Sequence, residues 1–264
     1  MKRLALPALA LLATCAAAEG VRPDVAQDLA PTGRLRAAIN LGNPVLAQKD
    51  PARGELRGIS VDLARELGRR LAVPVELIAY DAAGKVTDAV KTGAWDIAFV
   101  AIDPARATEI AFTPPYVVIE GTYLVAADSP LSAIDDVDRE GVRIAVSSKS
   151  AYDLYLSRTL KRAQLVRAPS PPASIELFVK DKLDATAGVK QPLVELARIN
   201  PHLRVLEGRF MLIEQAMGTP IGRPLGARYL REFIEEMKDS GFVARALERS
   251  GQRDAAVAPP APEP

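Results

Sequence analysis

The stretch that most constrains this chain runs from Trp95 to Tyr123, WDIAFVAIDPARATEIAFTPPYVVIEGTY. It opens on an uninterrupted apolar run, Ile97 to Ile102. A run of that length without polar alternation is a strand covered on both faces, as in a parallel sheet wrapped by helices. Asp103-Pro104 ends it, because proline has no N–H to donate and fixes its own φ. Arg106 follows two residues later, at the carboxyl end of the strand, where open α/β sheets hold their ligands. Phe112 to Tyr116 and a second apolar run, Val117 to Val125 broken only by Glu120-Gly121, then lead away as an extended segment. A strand, a basic residue at its tip and a long extended exit describe one lobe of a two-lobed binder handing the chain to the other.

The flanking sequence supports two α/β lobes. Leu35 to Ile39 and Val75 to Tyr80 have strand character, and between them Ser60 is placed to cap a helix ending at Leu71. Ile59, Leu63, Leu67 and Leu71 of that helix fall on one face at four-residue spacing. A helix from Gly84 to Thr92, closed by Gly93, precedes the strand Ile97 to Ala101. Strand–helix alternation of this kind implies a parallel sheet. After Val125 the alternation restarts, with strands at Val142 to Val146, Leu165-Val166 and Ala185 to Ala187. Helices are expected to about Leu160, over Pro172 to Lys180 and over Pro192 to Ile199. Phe210 to Met217 is extended and apolar and brings the chain back. Helices at Arg223 to Ser240 and Phe242 to Ser250 complete the first lobe. The first lobe is thus expected at residues 34–121 plus 216–250 and the second at 122–215. Two crossings make a hinge over a cleft.

The ends of the chain read differently. Met1 to Ala18 has two cations, a short apolar core and small residues at Ala16-Ala17-Ala18, the pattern of a secretory signal. The core is too short to span a bilayer. Removing the signal with Lys2 and Arg3 changes the net charge from +1 to −1. Such a chain has no electrostatic pull toward nucleic acid or an anionic membrane. The one cysteine, Cys15, lies in the signal, so a periplasmic protein without thiol or disulfide chemistry is expected. Lipid anchoring at Cys15 is the alternative; Thr14 before it fits that pattern poorly. Glu19 to Gly33 reads as a leader or spacer. The Ala/Pro-rich end, residues 251–264, reads as a disordered tail. His202 stands alone and no acidic cluster has Ca²⁺-loop spacing, so no metal and no cofactor is expected. Trp95 reads as a core residue.

The segment D-x₇-P-x-R-x₅-F-[TS]-x-P-Y, here Asp96, Pro104, Arg106, Phe112, Thr113, Pro115 and Tyr116, resembles the core of the bacterial extracellular solute-binding proteins of family 3. The resemblance extends through Leu35-Arg36 to Ile39, Gly58 to Ala64, Val73-Pro74-Val75, Val142 to Val146, Leu183-Asp184-Ala185 and Gly241-Phe242. It covers about residues 35–250. It implies the type II periplasmic-binding fold, with a discontinuous first lobe and a two-strand hinge. The implied role is that of a monomeric receptor that captures an amino acid or small carboxylate for an ABC permease. Two alternatives share this fold: a periplasmic dehydratase of cyclic acids, with Asp103 or Glu120 as proton donor, and a docking module for a periplasmic oxidoreductase system. No nucleophile–base pair is visible, and a non-enzymatic role is expected.

By this resemblance Arg106 holds a ligand carboxylate, which a planar guanidinium grips with two parallel bonds. Its alternative reading is a surface arginine paired with Glu109 or Asp103. The turn Ser148-Lys149-Ser150 lies between a strand and a helix, where free N–H groups and the helix dipole suit an anion. Ser150 equally reads as an N-cap. Where the family places an aromatic against the ligand, this chain has Asn43. Where amino-acid binders place an acid for the α-ammonium, it has Val189 followed by Lys190. Lys190 would add positive charge to the cleft, favouring a ligand without a free ammonium. Asp103 is a candidate cation contact or a helix cap. Glu120 is a candidate acid or a hinge residue.

Overall fold

The computed structural model describes residues 21–252 and 255–262. The expected signal, Met1 to Ala18, and Cys15 lie outside the described residues. The chain forms α1 (Pro23–Leu29), β1 (Leu35–Asn40), a small hairpin of β2 (Gln48–Lys49) and β3 (Leu56–Arg57), α2 (Ile59–Leu71), β4 (Val75–Tyr80), α3 (Ala83–Asp88) and β5 (Ile97–Ala101). The long strand β6 (Ile110–Ala126) leads to β7 (Arg143–Ser147), α4 (Ala151–Thr159), β8 (Gln164–Ala168), α5 (Pro171–Lys180), β9 (Ala185–Val189), α6 (Lys190–Ile199) and β10 (Leu203–Val205). Then come β11 (Met211–Pro220), α7 (Pro224–Asp239), α8 (Phe242–Arg249) and β12 (Ala256–Val257).

One sheet runs through both lobes in the order β4-β1-β5-β11-β6-β9-β7-β8. Strands β4, β1 and β5 are parallel, as are β9, β7 and β8, and these two groups are the lobes. Between them β11 and β6 run antiparallel to each other and to their outer neighbours, forming the two crossings. The β11–β6 register slips at Gln215/Ala216 and Ala216/Gly218, opposite Pro114-Pro115. Prolines cannot donate to a ladder, and the slips set them aside.

Each lobe buries both faces of its strands. In β5, Ile97, Phe99 and Ala101 face one cluster with α2, α7 and α8, while Ala98 and Val100 face another with Trp95 and Val86. In β7, Ile144 and Val146 turn toward Tyr152 and Leu156 of α4, and Ala145 turns toward Phe178 and Leu193. Period-two alternation with apolar cover on both sides is what makes these runs continuously hydrophobic. All four residues of the α2 stripe, Ile59, Leu63, Leu67 and Leu71, are buried. Trp95 is fully buried, and its ring N–H donates to the Val86 carbonyl at 2.9 Å.

Three local expectations are corrected. Ser60 does not cap α2: Gly58, at φ 115°, holds that position, and the Ser60 hydroxyl lies 3.2 Å from the Tyr116 hydroxyl. The expected spacer contains α1, whose Val25 and Leu29 are buried in the first lobe's core. It docks because α7 carries Gly226 at the contact, where a Cβ would come 2.5 Å from Leu29 Cδ2. The expected disordered tail is also ordered over its described residues. Ala256-Val257 pair with Val118-Val117, the Ala258 N–H donates to the Tyr116 carbonyl at 3.1 Å, and Ala258 is buried. Composition argued for disorder there, but an unpaired stretch of β6 supplies a template for the strand.

Candidate functional site

The strand ends converge. Asn40 closes β1, Ala101 closes β5, Ser147 closes β7 and Val189 closes β9, and all four line one cavity between the lobes. This is the carboxyl edge that the sheet rule assigns to ligands. The cavity is small, at about 40 Å³. It abuts an open pocket of about 420 Å³, with which it shares Gly42, Tyr152, Pro171 and Val189 as walls.

Arg106 is the charged side chain of the cavity. It is 5% exposed and has no carboxylate within ion-pair distance among the described residues. The alternative pairings are taken elsewhere: Glu109 binds Lys91 at 3.0 Å and Asp103 binds Arg158 at 2.8 Å. One terminal nitrogen donates to the Ala101 carbonyl at 2.7 Å and the other crosses to the Lys149 carbonyl at 2.9 Å. Its Nε–H is buried without a partner. Burial pushes the guanidinium down to about 10, so it stays charged at neutral pH. Across the cleft, the Ser147 hydroxyl is buried and lies against the Tyr152 hydroxyl. An unsatisfied buried donor costs about 1–3 kcal/mol, more for a charged one. On the cavity wall that donor is the Arg106 Nε–H of the first lobe.

The other expected residues divide. Asn43 lines the cavity with its carbonyl oxygen accepting from the Val45 N–H at 3.3 Å. Ser150 lines it too, and caps α4 by accepting from the Asp153 N–H at 3.1 Å. Ser148 does not line the cavity; its neighbour Ser147 does, since adjacent residues at a strand end face opposite ways. Lys149 sits at φ +56°, which turns its side chain outward to Asp88, at 2.6 Å. Only its carbonyl reaches the site, through Arg106.

Lys190 is corrected as a source of cleft charge. Val189 faces the cavity, so Lys190 faces away and binds Glu120 at 2.6 Å. Glu120 also binds Arg209 at 2.6 Å, and bonds to Lys190 and Arg209 hold its carboxyl below the usual range despite burial. It is a clasp on the crossing, outside the cavity. Asp103 caps its own turn by accepting from the Ala105 N–H at 2.8 Å and binds Arg158 of the other lobe. It too stands outside the cavity walls. Asn40, Ser147, Tyr152 and Gln215 line the site without having been singled out from the sequence. Three of them had a signal: Asn40 and Ser147 end strands, and Gln215 lies on a crossing. Burial pushes the Tyr152 hydroxyl up to about 12, so it remains a neutral phenol.

Three contacts bridge the lobes around the cavity: Arg106 to Lys149, Asp103 to Arg158 and Lys149 to Asp88. Gly84 of α3 seats the opposite backbone closely, since a Cβ there would lie 2.7 Å from the Ser148 carbonyl oxygen.

Two α/β lobes joined by an antiparallel pair of crossings, with strand ends meeting at an interlobe cavity, define a type II periplasmic-binding fold. The chain belongs to the bacterial extracellular solute-binding proteins, family 3, whose model matches residues 35–252. Solved structures agree in fold. A mutant of ArgBP from T. maritima superposes with TM-score 0.74 at 19% identity, covering 86% of this chain and 99% of that one. The solute receptor for L-cysteine of Neisseria gonorrhoeae gives 0.74 at 20% identity, covering 86% and 92%. The ancestral amino acid-binding protein AncCDT-1, a precursor of cyclohexadienyl dehydratase, gives 0.70 at 21%, covering 85% and 97%. Among the described residues no helix is long and apolar enough to cross a membrane, and no group of three or more His, Cys, Asp or Glu side chains is placed to hold a metal.

Proposed function

We propose that this solute-binding protein is the receptor of an ABC importer, exported to the periplasm on Met1 to Ala18. It captures an amino acid or other small carboxylate in the interlobe cavity and presents the closed form to a permease. The observation that carries this reading is Arg106, a buried guanidinium on the cavity wall with an unpartnered Nε–H and no carboxylate paired to it, in one cavity with Ser147 and Tyr152 of the other lobe. A carboxylate has acceptor sites for a guanidinium and a hydroxyl together. Because Arg106 and the two hydroxyls belong to different lobes, a ligand that contacts both favours closure by its differential affinity for the closed state. The L-cysteine receptor and the arginine-bound relatives make amino acids the first solutes to try.

A dehydratase on this fold would need a free acid in the cleft. Asp103 and Glu120 are ion-paired outside the cavity walls, which weighs for binding without turnover.

The test is thermal unfolding of the mature protein with amino acids and small carboxylic acids. A ligand of the native state raises the midpoint by mass action. Arg106→Ala is expected to remove the shift, since a lost charge pair in a desolvated site costs about 2–5 kcal/mol of binding. A shift that survives Arg106→Ala counts against the site.

A further inference from the structure

We propose that the solute is an apolar monocarboxylic acid without an ammonium group. This rests on the interlobe cavity being the binding site and concerns which acid enters it. Arg106 is the only charged side chain on the cavity wall, and no carboxylate lies there among the described residues. The carboxylate nearest in sequence to its walls, Glu214 between Ile213 and Gln215, is exposed and is not a wall residue, and the other neighbouring carboxylates are committed. Asp103 binds Arg158, Asp153 binds Arg167 and accepts from the Lys149 backbone N–H, and Glu120 binds Lys190 and Arg209. Asp81, on the rim of the adjoining pocket, is exposed and binds Lys85 at 2.7 Å.

The cavity therefore balances one negative charge. An ammonium beside the carboxylate would lose water without gaining an anionic partner, and its charge would add to that of Arg106. At the end of β9 the side chain available to it is Val189, which is apolar. The adjoining pocket specifies the rest of the molecule. Its walls include Leu41, Pro44, Ile175, Ala187, Pro192 and Leu193. With the carboxylate on Arg106 and Ser147, the solute's body extends past Val189 and Pro171 into that apolar space, where its burial is favourable. A short aliphatic or aromatic carboxylic acid meets both conditions.

Matched pairs test this directly by isothermal titration of the mature protein: 3-phenylpropanoate against phenylalanine, and 4-methylpentanoate against leucine. The acid of each pair is expected to bind at least about tenfold more tightly, the affinity equivalent of one charged hydrogen bond lost. Val189→Asp is expected to narrow or reverse that preference, and the wild-type comparison stands if this variant does not fold. Amino acids binding as tightly as their deaminated partners would overturn the inference and leave the cavity as the receptor site. Binding that survives Arg106→Ala would overturn the cavity itself. An absence of binding in both series would overturn both.

Discussion

Asp96 shows what the acid that opens the core segment does as a single residue: it holds the first lobe together. It is fully buried, accepts from the Arg36 backbone N–H at 3.0 Å, takes two guanidinium bonds from Arg36 at 2.9 Å, and binds Arg223 at 3.0 Å. Burial pushes its carboxyl up, but the bonds from Arg36 and Arg223 outweigh that and hold it below its ordinary 3.8. A carboxyl depressed by folding contributes stability that is present above its unfolded value and lost as pH falls through the folded one. Wild-type protein should therefore lose stability as pH drops below about 4. Asp96→Asn should cost about 3 kcal/mol or more at neutral pH, because it leaves two arginines without their partner. Urea unfolding of both proteins between pH 3 and 7 checks both expectations, and parallel pH profiles would assign the acid sensitivity to other carboxylates.

At the scale of elements, α1 and β12, the first and last elements of the described residues, both pack on the first lobe. Helix α1 packs on α7, and β12 extends the sheet beside β6. Lys238, buried in α7, donates to the Pro259 carbonyl at 2.8 Å and pairs with Glu235. Removing residues 255–264 takes away the Lys238–Pro259 bond and the β12 pairings, and uncovers Tyr116 and Val117. Two or three hydrogen bonds at about 1 kcal/mol each, with a midpoint change of about 2–4 °C per kcal/mol at this size, predict a fall in Tm of roughly 5–10 °C. Calorimetry of the truncated and full chains measures it, and an unchanged Tm would mean the strand contributes nothing in solution.

For the whole molecule, the balance between open and closed lobes in the proposed receptor rests on a few contacts. Gly84 is the sharpest of them. It lies in α3, where alanine is the better helix former by about 1 kcal/mol. A Cβ there meets the Ser148 carbonyl oxygen at 2.7 Å and Lys149 Cβ at 2.9 Å in the other lobe. Gly84→Ala should thus leave the ligand-free Tm unchanged or higher while weakening solute binding about tenfold, since the closed state must give way. Titration together with small-angle scattering separates the two effects. Unchanged affinity would show that the lobes accommodate the methyl.

The architecture was legible because it rests on local regularities. Apolar runs doubly covered at Ile97 to Ala101, the Ile59–Leu71 stripe and the turn glycines need no knowledge of partners. Arg106 was legible for the same reason: it follows a strand end at fixed spacing. The directions of side chains were not. Lys190 and Val189 differ by one position, and only the strand's placement decides that Val189 faces the cavity and Lys190 faces Glu120. Lys149 was drawn out of the site by a single positive φ. The tail's composition predicted disorder, and a free stretch of β6 overruled it. Periodicity is a property of neighbours in the chain, so the sequence alone determined which elements form and in what order. Which charges are spent in pairs, and which polar atoms are left buried and waiting, depends on residues far apart in the chain. That was decided only when the two lobes closed on each other.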